Sequence, residues 1–124
     1  MGNPLVHFEF AGDDPEALAE FYRSMFDWKV EQWGEGEMQY WMIETGSEPG
    51  GGLMARQQPG QSTLMYFDVA SIEEYAKKAE ALGGKVLAPK VAVADMGWFA
   101  LIADPQGNTF GIWEVSPDSQ PPAQ

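Results

Sequence analysis

Few residues of this chain could do chemistry, and three of them occupy matching places in an internal repeat: His7, Tyr66 and Glu114, with Met54 at the fourth place. A buried histidine and glutamate can be tuned to exchange a proton near neutral pH. His7 is therefore a candidate general base, with Glu114 or Tyr66 as the acid or orienting group. The alternative is a buried, hydrogen-bonded histidine with Glu114 as a structural partner. Met54 has no comparable chemistry, so the repeat predicts one unequal site.

The repeat is visible in two pairs of short segments. Residues 5–10 recur as residues 64–69 at an offset of 59, and residues 51–54 recur as residues 111–114 at an offset of 60. An offset near half of the 124 residues indicates a duplicated module. Equivalent positions of such modules are expected to meet across a pseudo-twofold axis.

The hydrophobic pattern predicts a strand, a helix and three further strands in the first module. Residues 4–10 alternate between apolar and polar faces, as a half-buried strand does. Asp13 and Glu16 form a capping box, with Pro15 in the first turn of the helix. The helix carries an apolar stripe that is expected to pack on the first strand: Leu18, Phe21, Tyr22, Met25 and Phe26. The later strands are predicted near residues 28–33, 38–45 and 51–56.

The second module repeats this order. Ser71 and Glu74 form a second capping box, and the pair Gly83 and Gly84 ends the helix, one of them with left-handed backbone. Its strands are predicted near residues 62–69, 85–92, 97–103 and 109–114. The chain is thus predicted to be one domain over residues 1–115, made of modules at residues 3–57 and 61–115. A disordered tail is predicted over residues 116–124.

Strand pairing predicts which side chains share the helix-free face of each sheet. A turn over residues 104–108 places Trp98 opposite Glu114, and the same construction places Met42 opposite Met54. The predicted lining is Leu5, His7, Tyr40, Met42, Met54, Leu64, Tyr66, Trp98, Ala100, Ile112 and Glu114. The predicted ligand contacts among them are Tyr40, Met42, Met54, Trp98 and Ile112. An apolar lining with few titratable groups is typical of a small-molecule pocket; the alternative is an ordinary interior or a dimer interface.

Composition excludes several classes of partner. The formal net charge of −12 disfavours nucleic acid and anionic membrane surfaces and permits a neutral or cationic ligand. The chain has no cysteine, which excludes disulfides and thiol catalysis. No signal peptide and no membrane-spanning run is visible, so a cytoplasmic protein is expected.

Several motifs in order resemble the vicinal oxygen chelate superfamily, which includes glyoxalases, bleomycin-resistance proteins and extradiol dioxygenases. The resemblance covers residues 3–115. The segments that carry it are Val6–Glu9, Asp13–Pro15, Phe21–Arg23, Phe26–Trp28, Asp104–Asn108 and Gly111–Glu114. It implies an α+β fold in which two tandem βαβββ modules form a curved, partly closed mixed sheet around a cavity, with the helices outside. It also implies a homodimer.

The resemblance also implies where a metal would be held. His7 and Glu114 match the family's His and Glu ligands of a divalent metal ion. Tyr66 departs from the usual His or Gln, and Met54 departs from the usual Glu. A thioether is a poor partner for a hard divalent cation, so the metal site is incomplete.

Three hypotheses for function remain open. One is a divalent-metal-dependent lyase, isomerase or dioxygenase that uses His7 and Glu114. The second is metal-free binding of a small molecule, similar to the bleomycin-resistance branch, with Trp98 stacking on a planar or cationic ligand. The third is a metal-independent isomerase, epimerase or lyase with His7 as base. The favoured prediction is small-molecule binding in the cavity of the paired modules, without a full metal site and with no certain cofactor.

Overall fold

The computed structural model describes residues 2–33 and 39–117. The described residues fall into two compact units, one formed by Val6–Met65 and the other by the residues before and after it. We call them the first unit and the second unit. Each contains strands of a mixed sheet with one helix packed on one face, so the predicted α+β fold of two βαβββ modules is confirmed.

The first unit has the predicted element order. Its elements are β1 (Leu5–Gly12), α1 (Pro15–Phe26), β2 (Lys29–Trp33), β3 (Tyr40–Glu44) and β4 (Gly51–Ala55). The strands lie in the order β2-β3-β4-β1, with β4 antiparallel to β3 and parallel to β1. The central strands are therefore β3 and β4.

Helix α1 begins one residue later than the predicted capping box implies. Its N-cap is Asp14, whose side chain accepts a hydrogen bond from the Ala17 N–H at 3.1 Å. The prediction of Asp13 was wrong because Pro15 takes the first helical position, which leaves the residue directly before it as the cap. The helix ends at Phe26, and its C-cap is Asp27, whose backbone is left-handed with φ of 57°.

The core of the first unit lies between α1 and one face of its sheet. Its buried residues are Ala19, Val30, Trp41, Ile43 and Leu53. Phe8 and Phe10 of β1 pack against this cluster, and Phe10 stacks on Tyr22 of α1 with ring centroids 4.7 Å apart. The predicted packing of the helix on the first strand is confirmed. The opposite face of the sheet, which we call the helix-free face, carries the alternate residues of each strand.

The β3–β4 pairing differs from the prediction by two residues. Met42 lies opposite Gly52, and Tyr40 lies opposite Met54. Gly46, with φ of 109°, turns the chain directly after β3, so the loop is centred earlier than expected. A shift of two residues keeps every side chain on its face, so Tyr40, Met42 and Met54 share the helix-free face as predicted.

The second unit repeats the architecture. Its elements are β5 (Leu64–Asp68), α2 (Ile72–Ala81), β6 (Lys85–Val93), β7 (Gly97–Ala103) and β8 (Thr109–Val115), with strand order β5-β8-β7-β6. Ser71 caps α2 by accepting from the Glu74 N–H at 3.2 Å, as predicted. Gly83 has φ of 97°, which confirms the left-handed glycine after the helix.

The pairing of β7 with β8 was predicted correctly, but the face was not. Trp98 lies opposite Glu114 and Ala100 opposite Ile112. These side chains pack on the α2 side, where Ala100 and Ile112 belong to the buried cluster that includes Ile72. Pairing settles which residues share a face but not which face the helix covers.

The ladder between β5 and β8 explains this error. Phe67 pairs with Ile112, whereas its counterpart in the first unit, Phe8, pairs with Gly51. The offset between β4 and β8 is therefore 61 (Gly51 against Ile112), not 60. Glu114 consequently corresponds to core residue Leu53 rather than to Met54.

Strand β8 ends at Val115, and Ser116 is the first residue of the predicted tail. Ser116 is buried, and its N–H donates to the Met96 carbonyl at 3.0 Å. The predicted disorder of residues 118–124 lies outside the described residues. Within residues 2–33 and 39–117, no helix is long and apolar enough to cross a membrane.

Candidate active site

The candidate site is a hydrogen-bonded group of three side chains on the helix-free face of the first unit: His7, Glu9 and Tyr40. The alternation of β1 directs Phe8 and Phe10 into the core, and so directs His7 and Glu9 to the other face. Tyr40 starts β3, two strands away from β1. Its side chain spans the intervening strand β4 to reach both residues.

The Tyr40 hydroxyl lies between the other two groups. It donates to Glu9 Oε2 at 2.9 Å, and it lies 2.8 Å from His7 Nε2. The direct distance from His7 Nε2 to Glu9 Oε2 is 3.9 Å. The phenol therefore links imidazole and carboxylate in one continuous chain of hydrogen bonds, which we call the relay.

Two consecutive glycines in β4 make room for rings on both faces. A Cβ atom built on Gly52 would overlap the Tyr40 hydroxyl and the ring carbon that carries it. A Cβ atom on Gly51 would overlap the ring of Phe8 on the core side. Tyr40 can cross β4 only because position 52 lacks a side chain.

The relay is shielded from solvent to different degrees. The His7 side chain is 30% exposed and that of Glu9 is 14% exposed. Burial lowers the pKa of the His7 imidazole from its ordinary value near 6.5. The imidazole is therefore neutral at pH 7 and can accept a proton.

Apolar side chains surround the relay on the same face. Tyr40 contacts the half-exposed ring of Trp33 edge to face, with centroids 6.4 Å apart. Met42 and Met54 occupy neighbouring positions of β3 and β4. A groove of about 140 Å³ lies at the β2–β3 end of the unit, lined by Lys29, Glu31, Gln32, Trp33, Met42 and Glu44.

Tyr66 lies on the helix-free face of the second unit, as predicted. It is buried, its ring occupies the space that a side chain at Gly111 would fill, and it meets Phe99 edge to face at 6.1 Å. Gly111 is its direct partner in the parallel ladder.

Glu114 does not lie on the predicted face. Its Oε1 accepts a hydrogen bond from the Ile72 N–H at 2.9 Å, at the first residue of α2. The same oxygen is 3.8 Å from Lys90 Nζ. A carboxylate at a helix N-terminus satisfies an unpaired N–H and opposes the positive end of the helix dipole, which is a structural role.

Trp98 and Ile112 share the helix side with Glu114, which corrects their predicted place on the helix-free face. Ile112 is buried in the core beneath α2. Trp98 packs against that core, and Lys90 Nζ lies 4.4 Å from the centre of its ring. Their roles as ligand contacts were predicted because both were expected on the helix-free face. Neither side chain lies on that face.

The residues at the family's metal positions do not fit a divalent metal site. Glu114 is held by the α2 N-terminus and Lys90, and Met54 offers only a thioether. Known catalytic zinc sites have three protein ligands. The described part of the chain contains no group of three or more His, Cys, Asp or Glu side chains placed to hold a metal ion.

Sequence reasoning missed two residues of this site. Glu9 lies two positions after His7, and strand alternation alone places both on one face. Gly52 forms part of a glycine pair inside a predicted strand, a pattern that often marks close approach by another group. Neither signal reveals that Tyr40 crosses β4 at Gly52 to reach Glu9 on β1.

Comparison with known proteins places these features in a family context. The glyoxalase-like domain family matches residues 7–113. A protein named putative glyoxylase CFP32 from Mycobacterium tuberculosis is 29% identical over 116 residues, which cover 91% of this chain and 44% of that protein. An uncharacterized protein, PA2024 from Pseudomonas aeruginosa, is 28% identical over 120 residues, covering 87% of this chain and 86% of that one. The chain thus spans less than half the length of CFP32.

Solved structures share the fold at low identity. Hypothetical protein BH1468 from Bacillus halodurans has a TM-score of 0.75 and 17% identity, over 98% of this chain and 100% of that chain. Methylmalonyl-CoA epimerase from Mycobacterium tuberculosis has a TM-score of 0.69 and 14% identity, over 91% and 88%. At such identities the likeness concerns the fold alone.

Proposed function

Because this chain belongs to the glyoxalase-like domain family of the vicinal oxygen chelate superfamily, we propose that it binds a small organic molecule without a full metal site. The binding surface is the helix-free face of the first unit. The single observation that carries the proposal is the relay of His7, Tyr40 and Glu9 beside apolar side chains of the same face. Small-molecule sites combine apolar walls with a few placed polar groups.

The surroundings of the relay supply such walls. Trp33 offers an aromatic edge or face next to Tyr40, while Met42 and Met54 offer flexible apolar contacts. The groove beside them extends this surface toward β2. A planar or apolar ligand that lies on the methionines and hydrogen-bonds to the relay suits this arrangement.

Charge favours a neutral or cationic ligand. The groove contains Glu31 and Glu44, with Lys29 Nζ 3.1 Å and 3.7 Å from their carboxylate oxygens. Glu9 lies on the same face, and the chain as a whole has a net charge of −12. A polyanionic ligand is therefore disfavoured here, although a structural neighbour is described in complex with methylmalonyl-CoA.

A second candidate function is metal-independent proton transfer on such a ligand. The relay and the lowered pKa of His7 favour it, because a neutral imidazole held by a partner can act as a general base. The matching reaction class is an isomerase, epimerase or lyase acting next to a carbonyl group. In this role Tyr40 and Glu9 would stabilise the imidazolium that forms.

Thermal shift and calorimetric titration test the binding proposal. Two panels of compounds, cationic aromatics and small 2-oxo compounds, are titrated in the presence of a chelator. A ligand at 100 times its Kd should add about 2.7 kcal/mol of stability. Tyr40→Phe should weaken binding about tenfold, since it removes one hydrogen-bonding group. Tyr75→Phe is the matched control, because the Tyr75 hydroxyl contacts only Asn3 among the hydrogen bonds of the described residues.

The outcomes separate the candidate functions. Binding that survives the chelator and weakens only in Tyr40→Phe supports the proposal. Exchange of the ligand's carbon-bound hydrogen in D₂O, lost in His7→Ala, would establish proton transfer. Binding that requires added metal and disappears in Glu114→Gln would overturn the proposal in favour of the metal-dependent alternative.

A further inference from the structure

An open cavity of about 440 Å³ lies beyond the end of β4 in the first unit. Strands β1 and β4 are parallel, so the residues that follow them leave the sheet at the same end. Arg56 and Asp13 meet there, with Arg56 Nε donating to Asp13 Oδ1 at 2.9 Å. The residues that line the cavity are Asp13, Arg56, Gln57, Gln58, Pro59 and Gly60, all outside the relay.

The loop after β4 holds Arg56 in place. The Arg56 backbone N–H donates to the Gly12 carbonyl at 2.8 Å, and its Nη1 donates to the Gln61 carbonyl. Two further bonds close the loop: the Gln61 N–H donates to the Gln58 carbonyl at 3.1 Å, and the Gln57 N–H donates to Gln61 Oε1 at 2.6 Å. The Arg56 side chain is 31% exposed, so the guanidinium is fixed at the cavity and still reachable from solvent.

The two arginines of the chain differ in how their nitrogens are used. Arg23 Nε and Nη2 both donate to the Val30 carbonyl, at 2.9 Å and 2.5 Å, and Nη1 donates to Glu20 Oε2 at 3.4 Å. In Arg56, the hydrogen bonds of the described residues involve Nε and Nη1 but not Nη2. A guanidinium has five N–H groups, so three of those on Arg56 can serve a ligand.

We propose that Arg56 binds the carboxylate group of a small organic acid in this cavity. A planar carboxylate matches the fork of N–H donors on a guanidinium, and a charge-assisted bond of this kind is stronger than a neutral one. A phosphate dianion fits less well, because Asp13 lines the same cavity and the chain carries a net charge of −12. The site contains no relay residue, so the proposal is independent of the proposed function.

Asp13 has two opposing effects on such a site. Its carboxylate holds Arg56 Nε, but its negative charge repels a ligand carboxylate in the same cavity. Asp13→Asn keeps an acceptor oxygen and removes the charge. This variant should therefore bind a carboxylate about threefold more tightly. A purely structural Arg56–Asp13 pair would not respond in this direction.

Titration of ¹⁵N-labelled protein with sodium benzoate near pH 6.5 tests the site. The Nε–H signals of the two arginines are assigned by their loss in Arg56→Lys and Arg23→Lys. Benzoate should shift the Arg56 signal with saturation and leave the Arg23 signal in place. Benzamide, which has the same shape without the charge, should shift neither, and inorganic phosphate should act more weakly than benzoate.

The backbone N–H signals of Gln57, Gln58 and Gly60 follow binding in the variants. Arg56→Lys keeps the charge but lacks the fork, so it should weaken benzoate binding about tenfold. Arg56→Gln should abolish it. Glu48→Gln is the control for Asp13→Asn, because it removes a carboxylate from the exposed loop before β4 and should leave the affinity unchanged.

Circular dichroism checks that each variant is folded; if the Arg56 variants are not, the wild type and Asp13→Asn decide the question. Equal shifts of both arginine signals, or shifts without saturation, would overturn the inference. Stronger binding of phosphate than of benzoate, retained binding in folded Arg56→Gln, or weaker binding in Asp13→Asn would also overturn it. Failure of every compound to bind at the relay would refute the proposed function and leave this result unchanged.

Discussion

At the scale of single residues, the chemistry of this protein depends on the neighbours of His7 rather than on His7 alone. The histidine is recognisable in the sequence, but its partners come from different places in the chain. Glu9 is on the same strand, and Tyr40 reaches it from β3. The relay joins the half-buried imidazole to a phenol and a carboxylate.

The burial of His7 predicts a pH dependence of stability. Burial lowers its pKa in the folded state, so below about pH 6.5 the unfolded state binds more protons than the folded state. The free energy of unfolding should then fall as the pH decreases through 6.5, until the pH lies below the folded-state pKa. Above that window the contribution is constant.

Urea denaturation between about pH 7.5 and pH 5.5 measures this dependence. His7→Gln should lack the slope that His7 causes and serves as the reference. Glu73 and Asp104 have pKa values lowered by hydrogen bonds, so they titrate at lower pH in both proteins. Parallel stability curves for wild type and variant would contradict the prediction.

At the scale of elements, the register between β5 and β8 decides the role of Glu114. This ladder places Ile112 beside Phe67, so Glu114 faces α2 and meets its first N–H. In the first unit the equivalent position holds Leu53, which is fully buried. The same place in the module thus holds a core residue in one copy and a helix cap in the other.

Glu114→Ala should lower the free energy of unfolding by about 1–2 kcal/mol, because it leaves the Ile72 N–H without its acceptor. Urea denaturation with a chelator present measures the loss. Glu48→Ala, in an exposed loop, is the control and should cost less than about 0.5 kcal/mol. A loss of unfolding free energy in Glu114→Ala that appears only when a divalent metal is added would contradict this prediction and support a metal-ligand role for Glu114.

At the scale of the whole molecule, the chain has the fold of the vicinal oxygen chelate superfamily and a charge of −12. The order of elements and the duplication were predicted from residue patterns, and the superfamily was predicted from the resemblance of several motifs to it. Cytoplasmic location and dimer formation remain predictions. The charge affects dimer formation, because two copies of a strongly acidic chain repel each other at low salt.

Sedimentation equilibrium tests the homodimer. We expect a mass about twice 13.7 kDa, with a larger dimer fraction when the ionic strength rises from about 0.01 M to about 0.15 M. The salt dependence follows from screening of the repulsion between copies. A monomer at every salt concentration would refute the prediction.

The sequence by itself determined those structural features that depend only on residues close together in the chain. Capping by Ser71, the left-handed Gly83 and the pairing of β7 with β8 follow from side-chain chemistry and turn length within short segments. Helical and strand periodicities are equally local, so the two βαβββ units were predictable.

Only the tertiary structure decided which face each side chain uses and which distant groups meet. Strand alternation allows either set of alternate side chains to face the helix. In β8, the ladder to β5 and the packing of α2 place Ile112 and Glu114 on the helix side. The relay likewise requires Tyr40 to cross β4 at Gly52, a contact between segments far apart in the chain. Local patterns carry no information about such contacts, because they arise only when separate strands are aligned.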